Sequence, residues 1–76
     1  MSNHGEMKRF GEKLRTLRTK HGLSQEQLGE MLGVHQTHIG RLERSEKTPH
    51  AAMILKIARI FDVSADILMK DELELE

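Results

Sequence analysis

An all-α domain of five short helices is what this chain predicts, on three observations. Its apolar residues recur at steps of three and four, no body segment alternates apolar and polar as a half-buried strand would, and helix-starting and helix-stopping residues punctuate it at short intervals. Seventy-six residues allow one domain. Leu, Ile, Val and Phe make up 19 of them, enough to build a core and to argue against disorder. A domain this short buries only about 60% of its unfolded surface, so a partner subunit would help it.

Each element has its own signals. Met7, Phe10, Leu14 and Leu17 form one amphipathic stripe, with Asn3 and Glu6 at capping-box spacing before it and Gly22 as its left-handed stop. A second helix opens at Ser24, with Gln27 as the reciprocal cap, and closes at Gly33; its inward residues are Leu28, Met31 and Leu32. A third runs over about 36–44 with Ile39 and Leu42 inward. Thr48 as N-cap and Pro49 in the first turn open a fourth helix to Phe61, whose buried face is Ile54, Ile57, Ala58 and Phe61. Ser64 caps a short fifth helix carrying Ile67 and Leu68. The domain therefore spans 1–70. An acidic tail, 71–76, alternates acid and leucine, and reads either as a frayed, solvated end or as a subunit contact through its leucines. Its closing Leu75-Glu76 pair also looks like a cloning remnant.

Composition excludes several classes of function. Without cysteine there are no disulfides, thiol nucleophiles or sulfur-ligated zinc. Five histidines include His35 and His38 three apart, but no HExxH accompanies them, so no metal or other cofactor is expected. No nucleophile–base constellation is legible, so the chain does not read as an enzyme. With no signal peptide and no apolar run near the ~18 residues of a membrane span, it is expected in the cytoplasm.

The most specific pattern lies in 25–44. Two helices separated only by Gly33, Val34 and His35 must cross sharply, with Gly29 where they approach and Gly33 where the turn needs a positive φ. With Ile39 and Leu42 inward, Gln36, Thr37, Gly40 and Arg41 fall on the opposite face of the third helix. Gln36 can pair bidentately with adenine, Arg41 with guanine, and Thr37 can touch a thymine methyl. Gly40 there would let DNA approach the backbone. Ser24 and Gln25 open the second helix, where amides and dipole favour a phosphate. His35 sits on the turn, His38 reaches toward a phosphate or base, and Arg44 and Lys47 suit the sugar-phosphate backbone.

From Leu23-Ser24-Gln25-Glu26-Gln27-Leu28-Gly29 through Gly33-Val34-His35 to Ile39-Gly40-Arg41-Leu42-Glu43-Arg44, and on through Thr48-Pro49 and Phe61-Asp62-Val63-Ser64, the chain resembles the phage-repressor and Cro-type (lambda-repressor-like, XRE) helix-turn-helix family. The likeness covers about 6–70. It implies the compact five-helix fold of that family, a pairing of Glu43 with Arg18, and regulation of transcription, most simply as a repressor. Ser45 departs from the glycine usual after the recognition helix, where a left-handed conformation would cost ~1–2 kcal/mol.

The expected partner is double-stranded DNA with a pseudo-palindromic operator, bound by a homodimer whose equivalent helices lie ~34–36 Å apart. Leu55, Ile60, Met69 and Leu73 are candidate dimer contacts. The alternative is an antitoxin or adaptor of the same fold whose main surface binds a partner protein. The zero net charge is two opposed halves: 1–50 hold nine basic and six acidic residues, and 51–76 hold three basic and six acidic. The basic half carries the reading helix, so the fourth and fifth helices are expected to face away from DNA.

Overall fold

The computed structural model describes residues 7–75. Five helices follow one another: α1 Phe10–Lys20, α2 Gln25–Leu32, α3 Gln36–Glu43, α4 Ala51–Phe61 and α5 Ala65–Met69, with no strand among the described residues. None of these helices is long and apolar enough to cross a membrane. The core joins all five: Phe10, Leu14 and Leu17 meet Leu28, Leu32, Ile39 and Leu42 on one side and Met53, Ile54, Ile57, Phe61 and Leu68 on the other.

α1 starts later than its apolar stripe suggests. Met7 has a φ of +66°, so it enters the core from a turn, and its N–H donates to Met69 O at 3.1 Å. The Asn3–Glu6 cap lies outside the described residues. Arg9 stands at the N-cap position without a side-chain cap of its own segment. The Asp71 carboxylate supplies one from the other end of the chain, accepting the Lys8 and Arg9 amides at 3.1 and 2.9 Å.

Met31 is not inward; it is 53% exposed. Leu28, Gly29 and Leu32 are the buried residues of α2. At 100° per residue they centre its buried face about 105° away from Met31. The fourth helix is capped by His50, not Thr48: His50 Nδ1 accepts the Met53 amide at 3.3 Å. Pro49 is buried ahead of the helix, and the first helical residue is Ala51. Ser24 and Ser64 do cap α2 and α5, and Ser24 with Gln27 forms the full reciprocal box.

Residues 71–75 of the tail are neither frayed nor detached. Arg9 donates to Asp71 O at 2.9 Å and to both carboxylate oxygens of Glu74, while Leu75 packs against the core. Beside this clasp Lys13 is 1% exposed, and its ammonium donates to Ile67 O and Lys70 O at 2.7 and 2.8 Å. Burying a lysine is tolerable because those carbonyls, at the negative end of α5, take its protons.

Candidate nucleic-acid interface

The α2–α3 turn is closed on α2 by a backbone hydrogen bond. Gly33, at φ +77°, turns the chain, and the Val34 amide returns to Gly29 O at 2.9 Å. A Cβ on Gly29 would lie 2.6 Å from Val34 O, so only glycine lets the end of α2 sit on the turn. α3 is seated by Ile39 and Leu42, both 0% exposed.

A buried polar triad fixes α3 from the side. Arg18 of α1 donates to Glu43 through Nε at 2.5 Å and Nη2 at 3.2 Å, and its Nη1 donates to Leu23 O at 2.8 Å. Gln25, at the start of α2, adds Nε2 to Glu43 Oε1 at 3.1 Å. The side chains of Arg18 and Glu43 are 12% and 4% exposed, so the pair is screened from water. Three helices are thereby tied at one carboxylate. α1 also approaches the end of α3 closely: a Cβ on Gly11 would stand 2.5 Å from Leu42 O and 2.6 Å from Glu43 O.

On the outward side Gln36, Thr37 and Arg41 are exposed together, and His38 is half-buried. Gly40 is not part of that open face. It is buried, with Gln25 and Arg44 side chains 3.1 to 3.6 Å from where its Cβ would be. Helix rotation is not the reason, since at 100° per residue Gly40 lies in angle between Gln36 and Arg41; the cover comes from the long side chains of Gln25 and Arg44.

Ser24 uses its hydroxyl on the Gln27 amide at 2.9 Å. Gln25 and Glu26, in the same first turn, have no amide acceptor within the helix. His35 caps α3 through Nδ1, which accepts the Thr37 amide at 3.0 Å. Beyond α3, Ser45 has a φ of +62°, and the Glu46 amide closes on Arg41 O at 2.9 Å. The left-handed turn is therefore present with serine in it. Arg44 pairs with Glu46 at 2.9 Å, and its guanidinium holds the Glu46 carboxyl below the usual carboxylate range. Lys47 is exposed beside them. Among the described residues no cluster of three or more His, Asp or Glu is placed to hold a metal ion.

A family model for the helix-turn-helix matches residues 14–68. The chain belongs to the phage-repressor-type helix-turn-helix family. Repressor protein C2 of Salmonella phage P22 is 36% identical over 64 residues, covering 84% of this chain and 30% of that protein. The SPbeta prophage-derived HTH-type transcriptional regulator YonR of Bacillus subtilis (strain 168) is 34% identical over 61 residues, covering 80% of this chain and 56% of its own length. The chain thus spans about half the length of one relative and under a third of the other. Among solved structures, the P22 c2 repressor in complex with a synthetic operator superposes with a TM-score of 0.77 at 35% identity, covering 83% of this chain and 96% of that one.

In this helix-turn-helix domain the candidate residues fall into three groups. Gln36, Thr37 and Arg41 share the outer face of α3. Ser24 and Gln25 begin α2, with Gln25 over Gly40, while His35 begins α3 and Arg44 and Lys47 follow it. The candidate subunit contacts are elsewhere: Leu55 and Leu73 are exposed, whereas Ile60 and Met69 are half-buried against the core. Sequence reasoning missed Gln25's bond to Glu43, the two histidine caps and the Gly11 contact. Only the caps carried a signal, a polar residue immediately before an apolar-periodic run.

Proposed function

We propose that the chain binds double-stranded DNA sequence-specifically and regulates transcription, most simply as a repressor on a pseudo-palindromic operator. The observation that carries this reading is the outer face of α3, where Gln36, Thr37 and Arg41 stand exposed on a helix pinned by the buried Arg18–Glu43 pair. Pinning matters because base discrimination of ~1–3 kcal/mol per bidentate contact requires the side chains to be held in register. In this reading α3 lies in the major groove, Gln36 and Arg41 read base edges with Thr37, and Ser24, Gln25, His38, Arg44 and Lys47 hold the backbone. Membership of the helix-turn-helix family and likeness to the operator-bound repressor support it.

Two copies complete the proposal. The longest dimension of the domain is 36 Å, so adjacent copies would set equivalent helices about one helical turn of DNA apart. Exposed Leu55 and Leu73 are the subunit contacts proposed, with Ile60 and Met69 behind them.

Selection of bound sequences from random DNA tests the reading. Enrichment of a palindrome, with log affinity falling about 0.9 per neutralised phosphate per log unit of salt, supports it. Failure to enrich any sequence at low salt overturns it. Within an enriched site, Arg41→Ala relaxes one base position, whereas Lys47→Ala weakens all sequences alike.

A further inference from the structure

His35 engages α3 differently from the other capping side chains. Ser24, His50 and Ser64 each accept the amide three residues on, at Gln27, Met53 and Ile67. His35 instead accepts the amide two residues on, at Thr37, and the same Nδ1 lies 3.0 Å from Thr37 Oγ1.

The two contacts together fix where the protons are. An amide N–H only donates, so the ring atom facing it must be the bare nitrogen of a neutral imidazole, with the ring proton on Nε2. Nδ1 then has nothing to give Oγ1, and the second contact is a hydrogen bond only when the Thr37 hydroxyl donates. That hydroxyl has one proton, now committed to the ring. What Thr37 offers outward, from an exposed position on α3, is acceptor lone pairs.

We infer that His35 is a positioning residue for base reading: its neutral ring fixes the Thr37 hydroxyl as an acceptor. Thr37 then selects a base with an amino group in the major groove, adenine N6 or cytosine N4. The acceptor edges of guanine and thymine meet lone pairs and are disfavoured. This rests on α3 lying in the major groove as proposed above. A contact through the Thr37 methyl alone would leave the hydroxyl's orientation without consequence.

The test combines one spectrum with two variants. Long-range ¹H–¹⁵N NMR of the free protein at pH 8 reads the tautomer, and His35 is expected with Nδ1 unprotonated; a protonated Nδ1 overturns the inference outright. His35→Ser keeps a capping hydroxyl but, like Ser24 and Ser64, accepts the amide three residues on and releases Thr37. Sequence selection with the wild type should show about 3- to 10-fold preference for A or C over G or T at one half-site position, the scale of one hydrogen bond. In His35→Ser that preference should narrow to under about 2-fold, a loss that a purely structural cap would not cause. Thr37→Val should abolish it. If Thr37→Val changes the preference and His35→Ser does not, the inference fails while groove reading by α3 stands. If neither changes any position, Thr37 is not a base reader and the inference falls with that assignment.

Discussion

Removing the guanidinium from the Arg18–Glu43 pair should cost this domain a large part of its stability and little of its sequence preference. Arg18→Ala leaves a carboxylate that is 4% exposed, with the Gln25 amide at 3.1 Å as its remaining side-chain donor. It also frees Leu23 O from its 2.8 Å bond. Breaking a buried pair by deleting one partner costs about 3–5 kcal/mol, chiefly because the other charge stays buried. A domain of this size has only roughly 4–11 kcal/mol to lose, at ~0.05–0.15 kcal/mol per residue. Each kcal/mol moves the midpoint by about 4–8 °C, so Arg18→Ala should melt at least about 12 °C lower. Urea and thermal unfolding followed by circular dichroism measure this. Arg18→Met combined with Glu43→Leu should recover most of the loss, because an apolar pair needs no desolvation of charge. A cost under about 1 kcal/mol would place the pair with exposed ion pairs and refute the reasoning. So would an unchanged midpoint with altered base preference, which would make Arg18 a DNA contact.

Three further outcomes follow from the same geometry. Gly11→Ala should lower the midpoint although alanine favours helix by about 1 kcal/mol, because its Cβ would meet Leu42 O at 2.5 Å and drive α1 off α3; a raised midpoint contradicts the contact. Ser45→Gly should raise the midpoint by a few degrees, since glycine relieves a φ of +62° worth about 1 kcal/mol and gives part of it back as unfolded-state entropy; no gain would mean the serine is unstrained. Arg9 lowers the Glu74 carboxyl below its ordinary 4.5, so the tail clasp is fully favoured above that pH and is lost as pH falls through the depressed value. Leu75 methyl shifts in an acid titration should report the release, and Glu74→Gln should abolish it.

Legibility in the sequence tracked how few residues each feature needs. Gly22 and Gly33 announce their left-handed turns because glycine is the default there. Ser45 and Asp62 adopt the same conformation at φ +62° and +56°, where serine gives no sign of it and aspartate only tolerates it. Ser24 and Ser64 are recognisable caps, while His35 and His50 perform that task with a ring that sequence reasoning weighs first as a ligand or a contact. Met31 has the right spacing for the core and the wrong angle, since a buried face is set by which neighbours arrive, not by period alone. The outer face of α3 was readable because Ile39 and Leu42 fix its rotation. Asp71 capping α1 was not, because the two ends of the chain meet only in three dimensions.

The basic half of the chain is less available to DNA than its charge count suggests. Arg9 is engaged by Glu74 and Asp71, Lys13 is buried on α5 carbonyls, and Arg18 is spent on Glu43. Arg44, proposed as a backbone contact, is held by Glu46 at 2.9 Å. Its partner stays ionised at neutral pH, because Arg44 itself holds that carboxyl below its usual range. A phosphate approaching Arg44 must therefore displace a carboxylate rather than a loosely held counterion, and Glu46 also repels the phosphate. Glu46→Gln removes both obstacles while keeping the side chain's length. On the proposed DNA reading, the variant should bind more tightly at low salt, and its log affinity against log salt should steepen by about 0.9, one additional released counterion. Because the charge lies beyond α3, the gain should be shared by operator and random DNA alike. A gain confined to one base position of the operator, with no change of slope, would place Arg44 at a base edge, and unchanged affinity and slope would remove it from the interface.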